Sequence, residues 1–157
     1  MYTIREYQQD DIPTLKQLIA ELHDALRPFD EYLAPVERIA DEYTAYLIDT
    51  CRDSAGTFFV AAQGDRLVGF ACVFGFVAPA EPDQYPDKFS AIANIYVSPS
   101  LQGQGIGAAL MQRAEDHARA VGVGRLELTV LSRNQRAIDF YRRLGYRERS
   151  RTFTKKL

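Results

Sequence analysis

The chain is poor in the residues that build metal centres and covalent frameworks. Cysteine occurs only as Cys51 and Cys72, and histidine only as His23 and His117. Neither cysteine belongs to a CxxC pair, and no histidine cluster lies beside them, so nothing supports a zinc site or a disulfide framework. The expectation is two buried or half-buried thiols in a reducing cytosol, and no metal. No run approaches about 18 consecutive apolar residues, which excludes a transmembrane helix. The opening Met1-Tyr2-Thr3-Ile4-Arg5-Glu6 lacks the basic, apolar and small-residue succession of a signal peptide, so a cytoplasmic location is expected. A net charge of -2 is too small to argue for a nucleic-acid or membrane partner.

What is present is ordinary globular composition: 157 residues, 46% hydrophobic and 25% charged. That length predicts a single domain spanning 1–157. Folding at this size hides about 70% of the unfolded surface, enough for a core without staples. Charge is unevenly spread. Residues 1–100 hold 16 Asp/Glu against 7 Lys/Arg, whereas residues 133–157 hold 9 Lys/Arg against 2 Asp/Glu.

Periodicity predicts a mixed α/β (α+β) order. Residues 2–7 read as a short strand. Asp10 or Asp11 then caps a helix carrying Leu15, Leu18, Ile19, Leu22 and Leu26. A second helix starts after Pro35. Residues 57–62 and 67–74 form a hairpin about Gly64-Asp65, a good tight-turn pair. The proline-bearing stretch 78–88 is a loop, and Ile92–Val97 a further strand. A helix is expected from Gly103 to Val121, a strand through Leu126, Leu128 and Val130, a short helix over 135–144, and one or two strands in the tail 146–156.

The most informative stretch is Val97-Ser98-Pro99-Ser100-Leu101-Gln102-Gly103-Gln104-Gly105-Ile106-Gly107-Ala108. A strand ends there, and three glycines open a helix. Each glycine lowers helix stability by about 1 kcal/mol relative to alanine, so a purely structural turn rarely holds three. Lacking Cβ, they let free N–H groups approach a ligand, and the helix dipole behind those groups favours phosphate or pyrophosphate. Gly107 is followed by Ala108-Ala109 rather than the Lys and Ser/Thr of a triphosphate loop. The dinucleotide pattern also fails, because its third glycine is replaced by Ala108 or Leu110.

Gln102-x-x-Gly105-x-Gly107, behind a strand ending Val97-x-Pro99, resembles the acetyl-CoA signature of the GNAT superfamily of N-acetyltransferases. Asn134-x-x-Ala137-x-x-Phe140-Tyr141-x-x-Leu144-Gly145-Tyr146 is similar to that family's downstream motif. The resemblance implies a GNAT-like single domain. Its central sheet would be mixed and mostly antiparallel, with splayed parallel central strands and flanking helices. It also implies acetyl-CoA as co-substrate, with the pyrophosphate on the backbone of Gln102, Gly103, Gln104, Gly105, Ile106, Gly107 and Ala108. The main chain of Ile95, Tyr96 and Val97 would pair with the pantetheine arm. Asn134, Ala137 and Tyr141 would line it, with Tyr141 as the general acid that protonates the departing thiolate. Asn134 is equally suited to cap the helix. Arg136, Arg142 and Arg143 are candidates for the CoA phosphates, with Arg143 preferred.

Many relatives carry a carboxylate at positions aligned with Ala93 and Thr129, neither of which can act as a base. Glu127, one pleat away from Thr129, is expected to face elsewhere. The base is left among a water chain, Glu21, His23 and bulk solvent. Residues 21–53, which would wall the acceptor, hold nine Asp/Glu and three Arg. A cationic acceptor is therefore expected: a polyamine, an aminoglycoside-like amine or a peptide amine. The alternative is a non-catalytic CoA-binding sensor or interaction module. A homodimer is a family-level expectation.

Overall fold

Phe58, Val60 and Phe70 are fully buried on one face of the hairpin, and Ala61, Ala71 and Val73 on the other. A hairpin apolar on both faces has to lie at the centre, with helices above and below. The computed structural model describes residues 1–157 in that arrangement. The hairpin is β2 (Thr57–Gln63) and β3 (Arg66–Val77), turning at Gly64, whose φ of 60° suits glycine. Around it stand β1 (Thr3–Glu6), β4 (Phe89–Val97) and β5 (Leu126–Leu128), in the sheet order β1-β2-β3-β4-β5. All pairs are antiparallel except β4 with β5.

Four helices cover the sheet: α1 (Ile12–Leu26), α2 (Val36–Asp53), α3 (Ile106–Val121) and α4 (Gln135–Arg143). On one face, Leu15, Leu18, Ile19 and Leu22 of α1 and Leu47 and Cys51 of α2 pack against Phe58, Phe70 and Cys72. On the other, Ile106, Leu110, Met111 and Ala114 of α3 pack against Phe59, Ala71 and Val97, with Phe140 and Tyr141 of α4 at the margin. Both cysteines are buried and unbridged, with sulfur atoms 3.5 Å apart. No helix is long and apolar enough to cross a membrane.

Four expectations change. Asp11 precedes α1 but does not cap it. Its carboxylate turns back to Gln8 N–H at 2.7 Å and takes Arg5 in a two-pronged contact at 2.6 and 3.0 Å. A charged fork outcompetes a neutral amide for that carboxylate. The third long helix begins at Ile106 rather than Gly103, because Gly103 and Gly105 have φ of 81° and 83°, left-handed values that no right-handed helix contains. The β5 strand stops at Leu128, three residues long. The tail 147–157 forms no strand and is exposed. Its run Arg147-Glu148-Arg149-Ser150-Arg151-Thr152 is polar at every position, so neither face of a strand there would bury apolar surface.

Candidate active site

The connection from β4 to α3 makes one turn, Pro99–Leu101, and then reverses through Gly103 and Gly105. Gln102 N–H is satisfied by Pro99 O, and the first helical bond runs from Ala109 N–H to Gly105 O. Between them, the N–H groups of Gly103, Gln104, Gly105, Ile106, Gly107 and Ala108 have no acceptor anywhere in the chain. They open the N-terminus of a 16-residue helix, where dipole and donors favour an anion together. A Cβ at Gly103 would meet nothing within 4 Å, so the approach there is open. These residues fit a pyrophosphate. The Gln102 side chain points elsewhere: its Nε2 donates to Val97 O at 2.8 Å and fixes the end of β4.

Beside this cradle the sheet parts. β5 runs parallel to β4 with Ser90, Ala91 and Ile92 opposite Leu126, Glu127 and Leu128, and there the pairing ends. The cause lies in β4 itself. Cys72 pairs with Asn94 and Val73 with Ile92, so Ala93 is an extra residue, a bulge that turns the strand. Beyond it, residues 94–97 have a strand partner on the β3 side only. An unpaired strand edge accepts an extended amide-bearing chain. Ile95 and Val97 turn their side chains to the α3 face and Tyr96 to the α1 face. Val97 O is already taken by Gln102, which leaves that carbonyl less free than its neighbours to pair with a ligand.

Helix α4 presents the second motif to the same face. Asn134 caps it, its Oδ1 accepting from Ala137 N–H at 3.2 Å, and its amide NH₂ group stays unused. Tyr141 lies between Phe140 and Tyr146, with ring centroids at 5.3 and 6.1 Å. Burial pushes its phenol up to about 12, and its hydroxyl has no partner in the chain. Arg142 leans on Asp139 at 3.9 Å, whereas Arg136 and Arg143 form no ion pair.

On the opposite face, a cavity of about 270 Å³ opens between α1, α2 and β4. It is mainly apolar, with Leu22, Leu26 and Leu33 in its lining, and carries His23, Tyr43 and Asn94 as polar groups. Tyr43 hydroxyl donates to Asn94 Oδ1 at 3.1 Å. The sequence reading passed over this pair, although a lone amide in the apolar run Ile92-Ala93-Asn94-Ile95 marks it. His23 Nε2 lies 2.6 Å from Ala34 O, so that nitrogen donates there and is not itself free to take a substrate proton. Glu21 is exposed and accepts from Tyr96 hydroxyl at 3.0 Å. Burial, then Glu21, pushes that phenol up to about 12. The expectation that Glu127 faces away is overturned. Leu126 and Leu128 point to the α3 face, so Glu127 stands on the cavity's side of the sheet.

The Acetyltransferase (GNAT) family is matched over residues 19–146. An uncharacterized N-acetyltransferase of Methanocaldococcus jannaschii is 35% identical over 94% of this chain, which spans only 62% of that relative's length. The thialysine N-epsilon-acetyltransferase of Bos taurus is 39% identical over 90% of this chain and 82% of its own. Among solved structures, a putative acetyl transferase from Pyrococcus furiosus superimposes with a TM-score of 0.79 at 25% identity, covering both chains completely. The family match takes in the bulged strand, the glycine turn and the capped α4 alike, and the chain belongs to the GNAT family of acetyltransferases.

Proposed function

We propose that the protein transfers an acetyl group from acetyl-CoA to the primary amine of a cationic acceptor, by direct attack while both are bound. The run of N–H groups from Gly103 to Ala108 with no acceptor in the chain carries this reading. Such donors at a helix start suit a diphosphate bridge. Arg143, unpaired and on the last turn of α4, is available for a further phosphate.

Acetyl-CoA supplies an activated thioester. The open edge of residues 94–97 holds its amide-bearing arm, and a backbone N–H near Ile95 or Tyr96 stabilises the developing oxyanion. Asn134 contributes the amide hydrogens that its cap leaves unused, and Ala137 is small enough to let the arm pass. Tyr141 keeps its proton at neutral pH, as the donor to a departing thiolate must. An ordinary thiol, near 8.5, is the stronger acid. The phenol's contribution is therefore a hydrogen bond to sulfur with partial proton transfer, worth about 1.5–3 kcal/mol.

The acceptor class rests on charge and shape. Residues 21–53, which supply most of the cavity lining, carry an excess of six negative charges, and aromatic rings at Tyr32 and Tyr43 line the cavity. Both features attract a cation with an alkyl stem. A relative named for thialysine, an amine on a short chain, points the same way. The test is thiol release from acetyl-CoA with a panel of amines. Release driven by diamines, lysine-like amines or aminoglycosides is expected. Turnover only with neutral or anionic amines overturns the acceptor class. Tight CoA binding with no thiol release for any amine assigns the chain to a sensor instead.

A further inference from the structure

Ala93 and Thr129 leave the acetyl-transfer reading without a carboxylate at the two positions first considered, yet one stands on the correct face. The register lays Phe74, Ala91 and Glu127 side by side across β3, β4 and β5. All three project to the α1/α2 face: Phe74 packs with that core, while Val73, Ile92 and Leu128 on the alternate positions pack with the other. Strands lie about 4.8 Å apart, so Phe74 and Glu127 flank a gap of about 10 Å floored only by a methyl group. Ala91 and Ala93 remain half-buried although their strand is interior to the sheet.

The walls of this notch are built for an amine. Tyr46 meets Phe74 edge-on at 6.4 Å and stacks on Tyr43 at 6.1 Å, and Tyr43 bonds Asn94. An aromatic wall therefore runs from the cavity to Phe74, and the carboxylate faces it. Arg125 Nε lies 2.9 Å from Glu127 Oε1, out of line for a hydrogen bond, and an Arg149 nitrogen lies 3.7 Å from the same oxygen. Both arginines make their closest approach at Oε1. Oε2 carries no hydrogen bond within the chain.

We infer that Glu127 receives the acceptor amine on the floor of Ala91 and Ala93, pairing first with its ammonium and then taking the proton shed during attack. The inference rests on the acetyltransferase reading and names the base it lacked. The ammonium first loses one proton to solvent, because only the neutral amine has the lone pair that attacks. The amine nitrogen then bonds to the acetyl carbon and the carbon–sulfur bond breaks. The sulfur leaves with the electron pair, hydrogen-bonded to Tyr141. As the nitrogen turns cationic its two protons become acidic; one passes to Glu127 Oε2, directly or through one water, and the other stays in the amide. The extra residue at Ala93 lies about 6.6 Å along the strand from Ala91, within reach of a glutamate arm plus one water.

The experiment compares Glu127→Gln, Glu127→Asp, Glu127→Ala and Arg149→Ala with the wild type, using acetyl-CoA and a diamine. Glu127→Gln should lower kcat at least tenfold while CoA affinity by calorimetry stays within twofold. Glu127→Asp should recover part of the loss, and added formate should accelerate Glu127→Ala several-fold. Arg149→Ala breaks an ion pair to the same carboxylate without removing it, so its kcat should stay within twofold of wild type. If Glu127→Gln turns over like wild type, or Arg149→Ala falls as far as Glu127→Gln, the inference is overturned, the second outcome marking a purely structural ion pair. Absence of thiol release by the wild type itself overturns the acetyltransferase reading first.

Discussion

Gly107 lies against the ring of Phe140: a Cβ at 107 would stand 3.3 Å from Phe140 Cζ and 3.9 Å from Val97 Cγ2. The first turn of α3, the helix bearing Tyr141 and the end of β4 therefore meet at one point. This contact ties the proposed diphosphate donors to the helix that carries the proposed thiolate partner.

Gly107→Val should drive those elements apart. Overpacking of this kind costs about 1–3 kcal/mol. At roughly 2–4 °C per kcal/mol for a chain of this size, the melting temperature should fall by several degrees. CoA affinity should weaken with it, since the donors no longer share one ligand geometry. A variant that melts and binds like wild type would mean that α4 can retreat without cost.

Gly105 is a different case, because the obstacle there is backbone conformation rather than space. Its φ of 83° disfavours any side chain by about 1–2 kcal/mol, while the nearest atom to a Cβ is Tyr2 hydroxyl at 3.8 Å. Gly105→Glu adds negative charge to that strain at the mouth of the cradle. The CoA dissociation constant should rise at least thirtyfold by calorimetry in a protein that remains folded. Gly105→Ala, without the charge, should show a smaller rise. Unchanged CoA affinity in both would remove the cradle from the proposal.

The sequence was most legible where one local rule acted alone. The β2–β3 hairpin, the end of α3 at Val121 and the cap at Asn134 each follow from propensity within a few residues. It was least legible where two parts of the chain compete. Asp11 is a good cap by type, but Arg5 from the neighbouring strand claims it. Alternation in Leu126, Leu128 and Val130 predicts a longer β5, but the bulge at Ala93 removes its partner after Leu128. The bulge itself leaves no mark in the run Ile92-Ala93-Asn94, since an inserted residue there only repeats an inward position. Glu127 was misplaced although the alternation Leu126, Leu128, Val130 already sets it on the same face as Thr129; what strand pairing adds is its neighbour, Ala91.

Asn134 has two candidate roles that one substitution separates. Its Oδ1 caps α4, so Asn134→Ala should cost about 1 kcal/mol and a few degrees in melting temperature. Asn134→Asp keeps the oxygen at the cap and loses the amide hydrogens. If those hydrogens touch the cofactor arm, the aspartate variant should melt like wild type and bind CoA several-fold more weakly. Equal CoA affinity for wild type and aspartate would confine Asn134 to capping.

Tyr141 couples the proposed chemistry to stability at alkaline pH. Burial holds its phenol at about 12 in the fold against an ordinary 10, so the folded state favours the neutral form. The stability this gives is complete below pH 10. It is lost as pH rises from 10 through 12, where the unfolded phenol ionises and the folded one resists. Two pKa units correspond to about 2–3 kcal/mol. Tyr96, also raised to about 12, adds to the same slope. Tyr141→Phe removes one contributor, so its denaturant midpoint should fall less steeply than wild type between pH 9 and 11. The same variant loses the hydrogen bond to sulfur, and kcat should drop tenfold to a hundredfold with CoA affinity nearly unchanged. A variant with the wild-type pH slope would place the phenol in water. One with wild-type kcat would leave the thiolate to depart without it.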